Sequence, residues 1–312
     1  MNVERGLVVY DFNKPLDYSV PFAASVFGYY STVTKTRYFL QSTSTGGTVV
    51  LEQLEEFAST PTIDSTIGSL FLDQTDLFSM KMMDIGATSF FGVLAATTTL
   101  SDHDGYLLNE RSVGWQRLLV SDIIMDTDAP QINSLSINLS NETIVIEFDE
   151  PMRMSKLVVS NFCLQNASNI ALSTGAYCLT DSIPTMNVAT LTLTLSLTDS
   201  AALKLSPGLA TSLASTYLSF VPYTAEDMAG NQLPAISTTA ARQFDTLVVD
   251  TVDPTLDAFN FDLTATEGTL LTLIFSEPVM HNMMNLTALT IQIRFASRDG
   301  VKYRLAGGSI LF

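Results

Sequence analysis

IVIEFDEPM at residues 144–152 and LTLIFSEPV at residues 271–279 repeat one pattern, an apolar strand that ends in Phe-x-x-Pro, and LVVYDFNKPL at residues 7–16 is a third copy. The residues two and four places before each Phe are apolar, which is the period-two pattern of a strand with one buried face. The proline ends the strand because its nitrogen has no hydrogen to donate. Copies at a long spacing predict a tandem array of one structural unit.

Other sequence blocks recur in the same order and set the length of the unit. SMKMMDIGATS at 79–89 matches ALKLSPGLATS at 202–212, and the segment 126–130 matches the segment 250–254. The unit is therefore about 125 residues long, the size of a typical domain. We predict a first repeat (residues 1–127) that lacks its first strand, a complete middle repeat (128–251) and the N-terminal part of a third repeat (252–312).

Most of the middle repeat is expected to form strands. LTLTLSL at 191–197 alternates Leu with Thr or Ser, and TYLSFVPY at 216–223 follows a Pro-Gly turn. We expect Phe148, Leu195 and Tyr217 in the interior of an antiparallel sandwich. In the first repeat, VVLEQLEEFAS at 49–59 has two open interpretations, a short helix or an inserted hairpin.

The incomplete repeats are expected to need a partner. Part of a sandwich cannot bury its inner face or pair its edge strands. We expect completion by more of the same polypeptide or by a strand donated from a neighbouring molecule. Copies of the chain, or other subunits of an extracellular assembly, are therefore the expected partners.

The composition excludes several classes of function. Charged residues are only 15% of the chain, and the net charge is −17, from 32 acidic and 15 basic residues. Such a charge opposes binding to nucleic acid or to an anionic membrane, because phosphate contacts need clustered Lys and Arg. The sequence has no uncharged apolar run of about 18 residues, so we expect no membrane insertion of this segment.

Catalytic patterns are missing from the sequence. Its two histidines, His103 and His281, are not in a metal-ligand spacing, and it has no GxSxG, Walker A or GxGxxG motif. Neighbouring carboxylates such as Asp149 and Glu150 are expected to point to opposite faces of a strand, which opposes a shared acid–base site. We predict that the chain is not an enzyme.

Acidic residues gather near the two expected junctions between repeats. Carboxylates and carbonyls are the ligands that calcium prefers, so each group could hold an ion that stiffens the junction. The alternative is an acidic surface that keeps the chain soluble. The candidate calcium ligands are Asp102, Asp104, Asp126 and Asp128 at the first junction, and Glu226, Asp227, Asp250 and Asp253 at the second.

Cysteines and glycosylation motifs indicate the compartment. Cys163 and Cys178 both lie in the middle repeat, and the matching positions of the third repeat hold Thr290 and Arg304. Strand alternation places both sulfurs on the face opposite the core, so we predict a disulfide; two free thiols are the alternative. The candidate N-glycosylation sites are Asn138, Asn141, Asn166 and Asn285, each in an Asn-x-Ser/Thr motif.

The motifs DTDAP at 126–130, FSEPV at 275–279, LATS at 209–212 and DMAGNQL at 227–233 together resemble a known family. They are similar to the S-layer-type immunoglobulin-like repeats of very large surface and adhesin-like proteins in bacteria and protists. The resemblance implies an all-β fold of tandem immunoglobulin-like antiparallel sandwiches, with about seven strands each. The first repeat departs from the pattern, because Lys14 takes the place of the acidic residue before the proline.

Two functions remain open at this stage. In the first, the chain is a structural segment of an extracellular filament, surface layer or flagellar-hair-like assembly, in which the repeats are rigid spacers and lateral contacts. In the second, it is an adhesin segment that binds a cell-surface or carbohydrate ligand. A fold does not fix a function. Seeing whether another copy completes the incomplete end repeats would separate the two functions better than an activity assay.

Overall fold

The computed structural model describes residues 6–11, 27–31, 35–41, 67–83, 85, 90–94, 118–119, 124–264, 270–279, 284–292 and 302–307. This part of the chain is mostly β-structure, with two nine-residue α-helices, Gln74–Met82 (α1) and Leu197–Leu205 (α2). No helix in the described part of the chain is long and apolar enough to cross a membrane. The fold class predicted from the sequence, all-β, is therefore confirmed at this level.

The strands follow one another along the chain as Leu7–Asp11 (β1), Phe27–Ser31 (β2), Arg37–Phe39 (β3), Ile67–Phe71 (β4), Phe90–Leu94 (β5), Leu118–Leu119 (β6), Ile132–Asn138 (β7), Thr143–Phe148 (β8), Cys163–Gln165 (β9), Ala176–Cys178 (β10), Ile183–Asn187 (β11), Thr190–Thr194 (β12), Tyr217–Ser219 (β13), Arg242–Gln243 (β14), Thr246–Val248 (β15), Leu256–Asp262 (β16), Leu270–Phe275 (β17), Thr290–Gln292 (β18) and Lys302–Arg304 (β19).

The middle repeat contains two sheets around one hydrophobic core. The first sheet has the strand order β11-β12-β8-β7-β15, and the second has the order β10-β9-β13-β14. All neighbours are antiparallel except β15, which runs parallel to β7. Inward residues of both sheets belong to one buried cluster, which includes Leu135, Ile144, Ile146, Leu193, Phe162, Leu164 and Leu218. Each such side chain contributes about 1.5–3 kcal/mol by leaving water.

Two of the three expected interior residues are buried, and the third is not. Phe148 and Leu195 are each 4% exposed, which confirms the prediction. Tyr217 is only half-buried, so its assignment to the core was wrong. Leu218 lies opposite Leu164 in the sheet and takes the inward position, and strand alternation then turns Tyr217 to the other face.

The expected strand at 191–197 is shorter than its alternation predicts. It ends at Thr194, and α2 begins at Leu197. The side chain of Ser196 accepts a hydrogen bond from the backbone N–H of Asp199, which caps the first turn of the helix. A Ser followed three residues later by an acidic residue is a helix-start pattern, and here it outweighs the alternation of Leu and Thr. The prediction of a strand through Leu197 was therefore wrong.

The third repeat reproduces the strand pairing of the middle repeat as far as it is described. Strand β16 pairs with β17 as β7 pairs with β8, and each pair has an irregularity at the start of its first strand. Strands β18 and β19 pair as β9 and β10 do.

The first repeat shows related pairing. Its strand order β3-β2-β5-β6 corresponds to the order β10-β9-β13-β14 of the middle repeat, and β1 pairs with β4 as β8 pairs with β12. The insertion at 49–59, Lys14, His103 and His281 lie outside the described residues.

Candidate functional site: the joints between repeats

Helix α1 carries a lysine to the boundary between the first and middle repeats. Asp73 caps the helix, since its side chain accepts a hydrogen bond of 2.8 Å from the backbone N–H of Asp76. Lys81 lies in the last turn, where a positive charge is favourable beside the carbonyl end of the helix dipole. The cap thus stabilises the start of the helix, and the dipole favours the positive charge of Lys81 at its end, beside this boundary.

Lys81 binds two carboxylates that the sequence places far apart. Its Nζ lies 2.5 Å from Oδ2 of Asp126 and 2.7 Å from Oε2 of Glu150. The three side chains are only 9%, 3% and 9% exposed, so the charges are nearly shielded from water. Asp126 belongs to the connecting segment 126–130, whereas Glu150 follows β8 of the middle repeat. The lysine therefore ties the first repeat both to the connecting segment and to the next repeat.

A third carboxylate completes this group, which we call the first joint (Lys81, Asp126, Glu150 and Asp227). Oxygen atoms of the three carboxylates lie within 4.8 Å of one another. Asp227 is held by its own turn, because its Oδ1 accepts hydrogen bonds from the backbone N–H of Gly230 and of Asn231. The side-chain amide of Asn231 also donates to Oδ2 of Asp227, at 2.8 Å, and to the backbone carbonyl of Asp126, at 3.3 Å. This turn thus holds the connecting segment against the middle repeat.

Burial and neighbouring charges shift the pKa values of Glu150 and Lys81 in the first joint. Burial raises the pKa of Glu150 to about 7, although Lys81 acts in the opposite direction, and the charges of Asp126 and Asp227 add to the increase. Burial alone would lower the pKa of Lys81, but its hydrogen bonds to Asp126 and Glu150 outweigh this and raise it above the usual value. The lysine therefore stays charged near neutral pH, while Glu150 can hold a proton.

Helix α2 repeats the arrangement at the boundary between the middle and third repeats. Nζ of Lys204 lies 2.6 Å from Oδ2 of Asp250 and 2.8 Å from Oε2 of Glu277. A longer contact of 3.6 Å reaches Oε1 of Glu142, in the turn between β7 and β8. We call these four residues the second joint.

The two joints use equivalent positions of the sequence repeat. Lys81 and Lys204 are the third residues of the matching blocks 79–89 and 202–212. Asp126 and Asp250 open the matching connecting segments, and Glu150 and Glu277 both precede the proline of Phe-x-Glu-Pro. Since all three partners recur together and with nearly the same distances, the joint is a property of the repeat rather than of one boundary.

The hydrogen bonds from Lys204 and from the backbone N–H of Val252 lower the pKa of Asp250 and outweigh the opposing effect of burial. Burial would lower the pKa of Lys204, but its hydrogen bonds to Asp250 and Glu277 raise it. The second joint is the more exposed of the two, since 13–19% of the side chains of Lys204, Asp250 and Glu277 is exposed. We therefore expect its charges to interact more weakly than those of the first joint.

Each lysine-bearing helix is fixed to its own repeat by a buried aspartate. In the first repeat, Asp76 accepts hydrogen bonds from the hydroxyl of Tyr38, at 2.6 Å, and from the backbone N–H of Gln41. In the middle repeat, Asp199 accepts from the hydroxyl of Tyr177, at 2.8 Å, and from the backbone N–H of Thr180. Tyr38 and Tyr177 open matching apolar triplets of the sequence, so this contact also recurs with the repeat.

The two buried aspartates, Asp76 and Asp199, differ in how well hydrogen bonds compensate their negative charge. Burial raises the pKa of Tyr38 to about 12, assisted by its bond to Asp76, and burial likewise raises the pKa of Asp76. Burial would also raise the pKa of Asp199, but hydrogen bonds from Ser182, Thr180 and Tyr177 outweigh it and lower the pKa to about 2. The helix of the middle repeat is therefore held by a carboxylate that is ionised at neutral pH.

The predicted cysteine pair is bonded in the structure. Cys163 and Cys178 lie directly opposite each other on β9 and β10 and form a disulfide. The adjacent residues Phe162, Leu164 and Leu179 are buried, so the sulfurs lie on the outer face, as strand alternation predicts.

The matching pair of the first repeat is Gly28 opposite Phe39. A Cβ on this glycine would lie 2.6 Å from the Phe39 ring. Glycine is therefore required at this position of the first repeat.

The expected calcium ligands are divided among several environments. Asp102 and Asp104 lie outside the described residues. Asp128 and Asp253 are exposed, and Glu226 contacts Arg153 and Gln232 instead. Asp126 and Asp227 meet in the first joint, whereas Asp250 lies in the second. The structure therefore brings residues of both expected clusters together, but in a different grouping.

The first joint fits a lysine better than a calcium ion. Among the described residues, Asp126, Glu150 and Asp227 are the one group found with carboxylates close enough to share an ion. However, Nζ of Lys81 already supplies a positive charge within 2.7 Å of two of them. Calcium would have to displace this ammonium group, and Asp227 would have to give up bonds within its own turn. Calcium binding stays a prediction.

Five residues of the joints were not among the predicted site residues: the recurring lysines and glutamates Lys81, Glu150, Lys204 and Glu277, and also Glu142. The signal was available in the sequence, because both lysines lie in one recurring block and both glutamates in another. The sequence could not show that these blocks meet across a boundary, since contacts between residues 69 and 73 positions apart depend on the packing of whole repeats.

The four glycosylation motifs differ in accessibility. Asn141 and Asn285 are exposed, and hydrogen bonds to their Oδ1 atoms come from within their own motifs. Asn138 is half-buried, and its Oδ1 accepts from two backbone N–H groups. The side-chain nitrogen of Asn166 donates to Thr174 and to the carbonyl of Pro207. Asn141 and Asn285 are thus the better acceptors, and glycosylation stays a prediction.

Comparisons of the chain with protein-family models, with curated proteins and with solved structures gave no match. The functional argument therefore depends on the geometry of the joints.

Proposed function

We propose that the chain is a structural segment of a large extracellular filament, surface layer or flagellar-hair-like assembly. In this proposal, tandem immunoglobulin-like repeats act as semi-rigid spacers and as lateral contact surfaces. The observation that carries the proposal is the recurrence of one joint, a lysine bound to an aspartate and a glutamate, at both boundaries.

The joint restricts motion because it adds a second connection to each boundary. A connecting segment alone would leave neighbouring repeats free to rotate about it. Lys81 adds a contact to Glu150, on the far side of the boundary, and Lys204 adds the same contact to Glu277. Removing one member of a buried ion pair leaves an uncompensated charge, which is destabilising by about 3–5 kcal/mol. Bending at the boundary would require the lysine and the glutamate to separate.

Other features of the chain support work outside the cell. A disulfide such as Cys163–Cys178 is stable in an oxidising compartment. The net charge of −17 keeps an extended chain soluble and opposes unspecific association with acidic surfaces. These features are compatible with a spacer and require no ligand.

Small-angle X-ray scattering on the whole chain tests the proposal. The double variant Lys81→Met, Lys204→Met removes both ion pairs and keeps similar side-chain length, and Lys156→Met, at an exposed position, is the matched control. We expect the double variant to show a broader distribution of interatomic distances than the wild type, with an unchanged far-ultraviolet circular dichroism spectrum. Equal distributions in all three proteins would contradict the spacer proposal and favour the adhesin alternative.

A further inference from the structure

The strand pair that carries the disulfide recurs in all three repeats, but the disulfide does not. Cys163 lies opposite Cys178 on β9 and β10, and the two are bonded. The equivalent positions of the first and third repeats pair in the same way without a bond: Gly28 with Phe39, and Thr290 with Arg304. The two strands therefore pair whether or not these positions are bonded to each other.

The core holds the two strands from their other face. Phe162, Leu164 and Leu179 are 0%, 0% and 1% exposed. The backbone N–H of Leu179 donates to the carbonyl of Phe162, at 2.9 Å, directly beside the cysteine pair. Because this packing and this hydrogen bond do not involve the sulfurs, the disulfide can open while the strands stay paired.

The disulfide is accessible from the outer face and from the edge of the sheet. Cys178 is exposed, whereas Cys163 is half-buried. Strand β10 is the outermost strand of its sheet, and in the described part of the chain no other strand pairs with its free edge. An incoming group therefore meets Cys178 first. Exposed disulfides are the ones that exchange readily with thiols, whereas structural disulfides resist reduction.

We propose that the Cys163–Cys178 disulfide is a thiol-exchange site, at which a thiol of a neutral or basic partner becomes bonded to Cys178. A second copy of the chain is not the expected partner, since its two cysteines are bonded to each other and it has the same net charge of −17. An acidic chain repels another acidic chain and attracts cations. The site contains no residue of either joint, so the inference goes beyond the proposed function.

The atoms and electrons of the exchange balance. The partner's thiol first gives its proton to water, and its thiolate then attacks Sγ of Cys178. A new S–S bond forms as the bond between Cys178 and Cys163 breaks. The electron pair of the broken bond stays on Sγ of Cys163, which takes up a proton from water. The partner's sulfur is oxidised and that of Cys163 is reduced, so the number of disulfides is unchanged and no other oxidant is needed.

The attachment is reversible. Cys163 stays opposite Cys178 in the paired strands, so its thiolate can attack the same sulfur again and release the partner. The attachment becomes permanent when Cys163 is blocked. A spacer in an assembly would thereby gain a lateral connection that can form and open.

Trapping on the folded, whole chain tests the inference. The chain is incubated with cysteamine, a small cationic thiol, at about pH 8, where part of a thiol is ionised. N-ethylmaleimide then blocks every free thiol. We expect intact mass spectrometry to show a product with one cysteamine and one N-ethylmaleimide. Fragmentation of the tryptic peptide 157–204 should place cysteamine on Cys178 at least about ten times as often as on Cys163.

Two comparisons of the reaction rate make the result specific. The folded chain should react at a rate within about tenfold of the rate of the chain unfolded in urea, because the disulfide is already accessible. An anionic thiol, 2-mercaptoethanesulfonate, should react several-fold more slowly than cysteamine, because the chain is acidic.

Substitutions separate the role of each sulfur. The double variant Cys163→Thr, Cys178→Arg gives the middle repeat the pair of the third repeat. We expect it to fold, with an unchanged far-ultraviolet circular dichroism spectrum, and to take up no cysteamine. The free thiol of Cys178 in Cys163→Ser should react with N-ethylmaleimide at least about tenfold faster than the free thiol of Cys163 in Cys178→Ser.

Three results would overturn the inference: cysteamine uptake that requires unfolding, cysteamine mainly on Cys163, or a double variant that fails to fold. Equal rates with the cationic and the anionic thiol would overturn the charge assigned to the partner. None of these results changes the expected scattering of the joint variants, so a failure of this inference is distinguishable from a failure of the spacer proposal.

Discussion

Nζ of Lys81 lies 2.7 Å from Oε2 of Glu150, so a helix of the first repeat contacts the turn that follows β8 of the middle repeat through a nearly buried ion pair. The equivalent contact, between Lys204 and Glu277, measures 2.8 Å at the next boundary. Because the lysine also binds the first residue of the connecting segment, every boundary in the described chain has both a chain connection and an ionic one.

Loss of the lysine should destabilise the first joint. In Lys81→Met, the carboxylates of Asp126 and Glu150 lose their buried counter-charge, and we expect the free energy of unfolding to fall by about 3 kcal/mol. Denaturation in urea, monitored for the transition that includes the first and middle repeats, measures the change. Lys156→Met, at an exposed position, should shift the value by less than about 0.5 kcal/mol. Equal effects of the two substitutions would show that the ion pair contributes nothing to stability.

Glu150 should make the stability depend on pH below neutrality. Its pKa is about 7 in the folded chain and 4.5 in its usual state, so the folded chain binds this proton more tightly. The stabilisation is therefore complete below pH 4.5 and is lost as the pH rises through about 7. Glu150→Gln should remove this pH dependence of the stability. Carboxyl NMR titration of the wild type measures the pKa directly, and a value at or below 4.5 would contradict the prediction.

Asp199 should give the stability the opposite dependence on pH, because it stabilises the fold only while it is ionised. Its pKa is lowered to about 2 from 3.8, so its stabilisation is present above pH 3.8 and is lost as the pH falls through about 2. In Asp199→Asn, this loss of stability at acid pH should be absent, and α2 should be less firmly attached to the repeat. Thermal melting between pH 2 and pH 5, followed by circular dichroism, is the measurement. An unchanged acid limb in the variant would mean that Asp199 does not anchor the helix.

The lysine should also control whether the first joint accepts calcium. In the wild type, the ammonium group of Lys81 occupies the place of a cation, so we expect calcium or a chelator to leave the melting temperature unchanged. In Lys81→Met, three buried carboxylates remain together, and calcium should raise the melting temperature. If calcium stabilises the wild type as much as the variant, the lysine does not replace the ion and the calcium hypothesis gains support.

The core of the middle repeat should depend on Phe148. This side chain is 4% exposed, and Phe148→Ala should lower the free energy of unfolding by about 3–5 kcal/mol because it leaves a cavity. Phe259 is 66% exposed, so Phe259→Ala is a matched control with an expected change under about 0.5 kcal/mol. Urea denaturation gives both values. A small effect of Phe148→Ala would place the Phe-x-x-Pro strand outside the core.

The sequence was sufficient for the features that depend on short-range patterns. Alternation in IVIEF predicted a strand with Phe148 inside, and the parity of residues around Cys163 and Cys178 predicted a disulfide on the outer face. These inferences succeed because side-chain direction in a strand alternates regardless of what the rest of the chain does. The prediction fails at Ser196, where a helix cap ends the alternation, and at Tyr217, where the wrong one of the two alternating faces was assigned to the core.

The joints depend on longer-range relationships. The aspartates of the connecting segments were recognised as part of acidic clusters, with calcium as a candidate partner and an acidic, solvated surface as the alternative. Only the packing of one repeat against the next brings Lys81 to Asp126, across 45 residues of sequence. A buried acidic group always needs compensation, but its source, whether an ion or a lysine, is set by that packing.

The width of the distance distribution between two spin labels, one in the first repeat and one in the middle repeat, tests the central claim most directly. Labels introduced as non-natural amino acids at the exposed positions Lys35 and Ser155 leave the disulfide intact, and pulsed electron paramagnetic resonance measures their separation. We predict a single narrow distribution in the wild type and a clearly broader one in Lys81→Met, with Lys156→Met behaving as the wild type. Distributions of the same width in the wild type and in Lys81→Met would contradict the claim that the lysine fixes one repeat against the next.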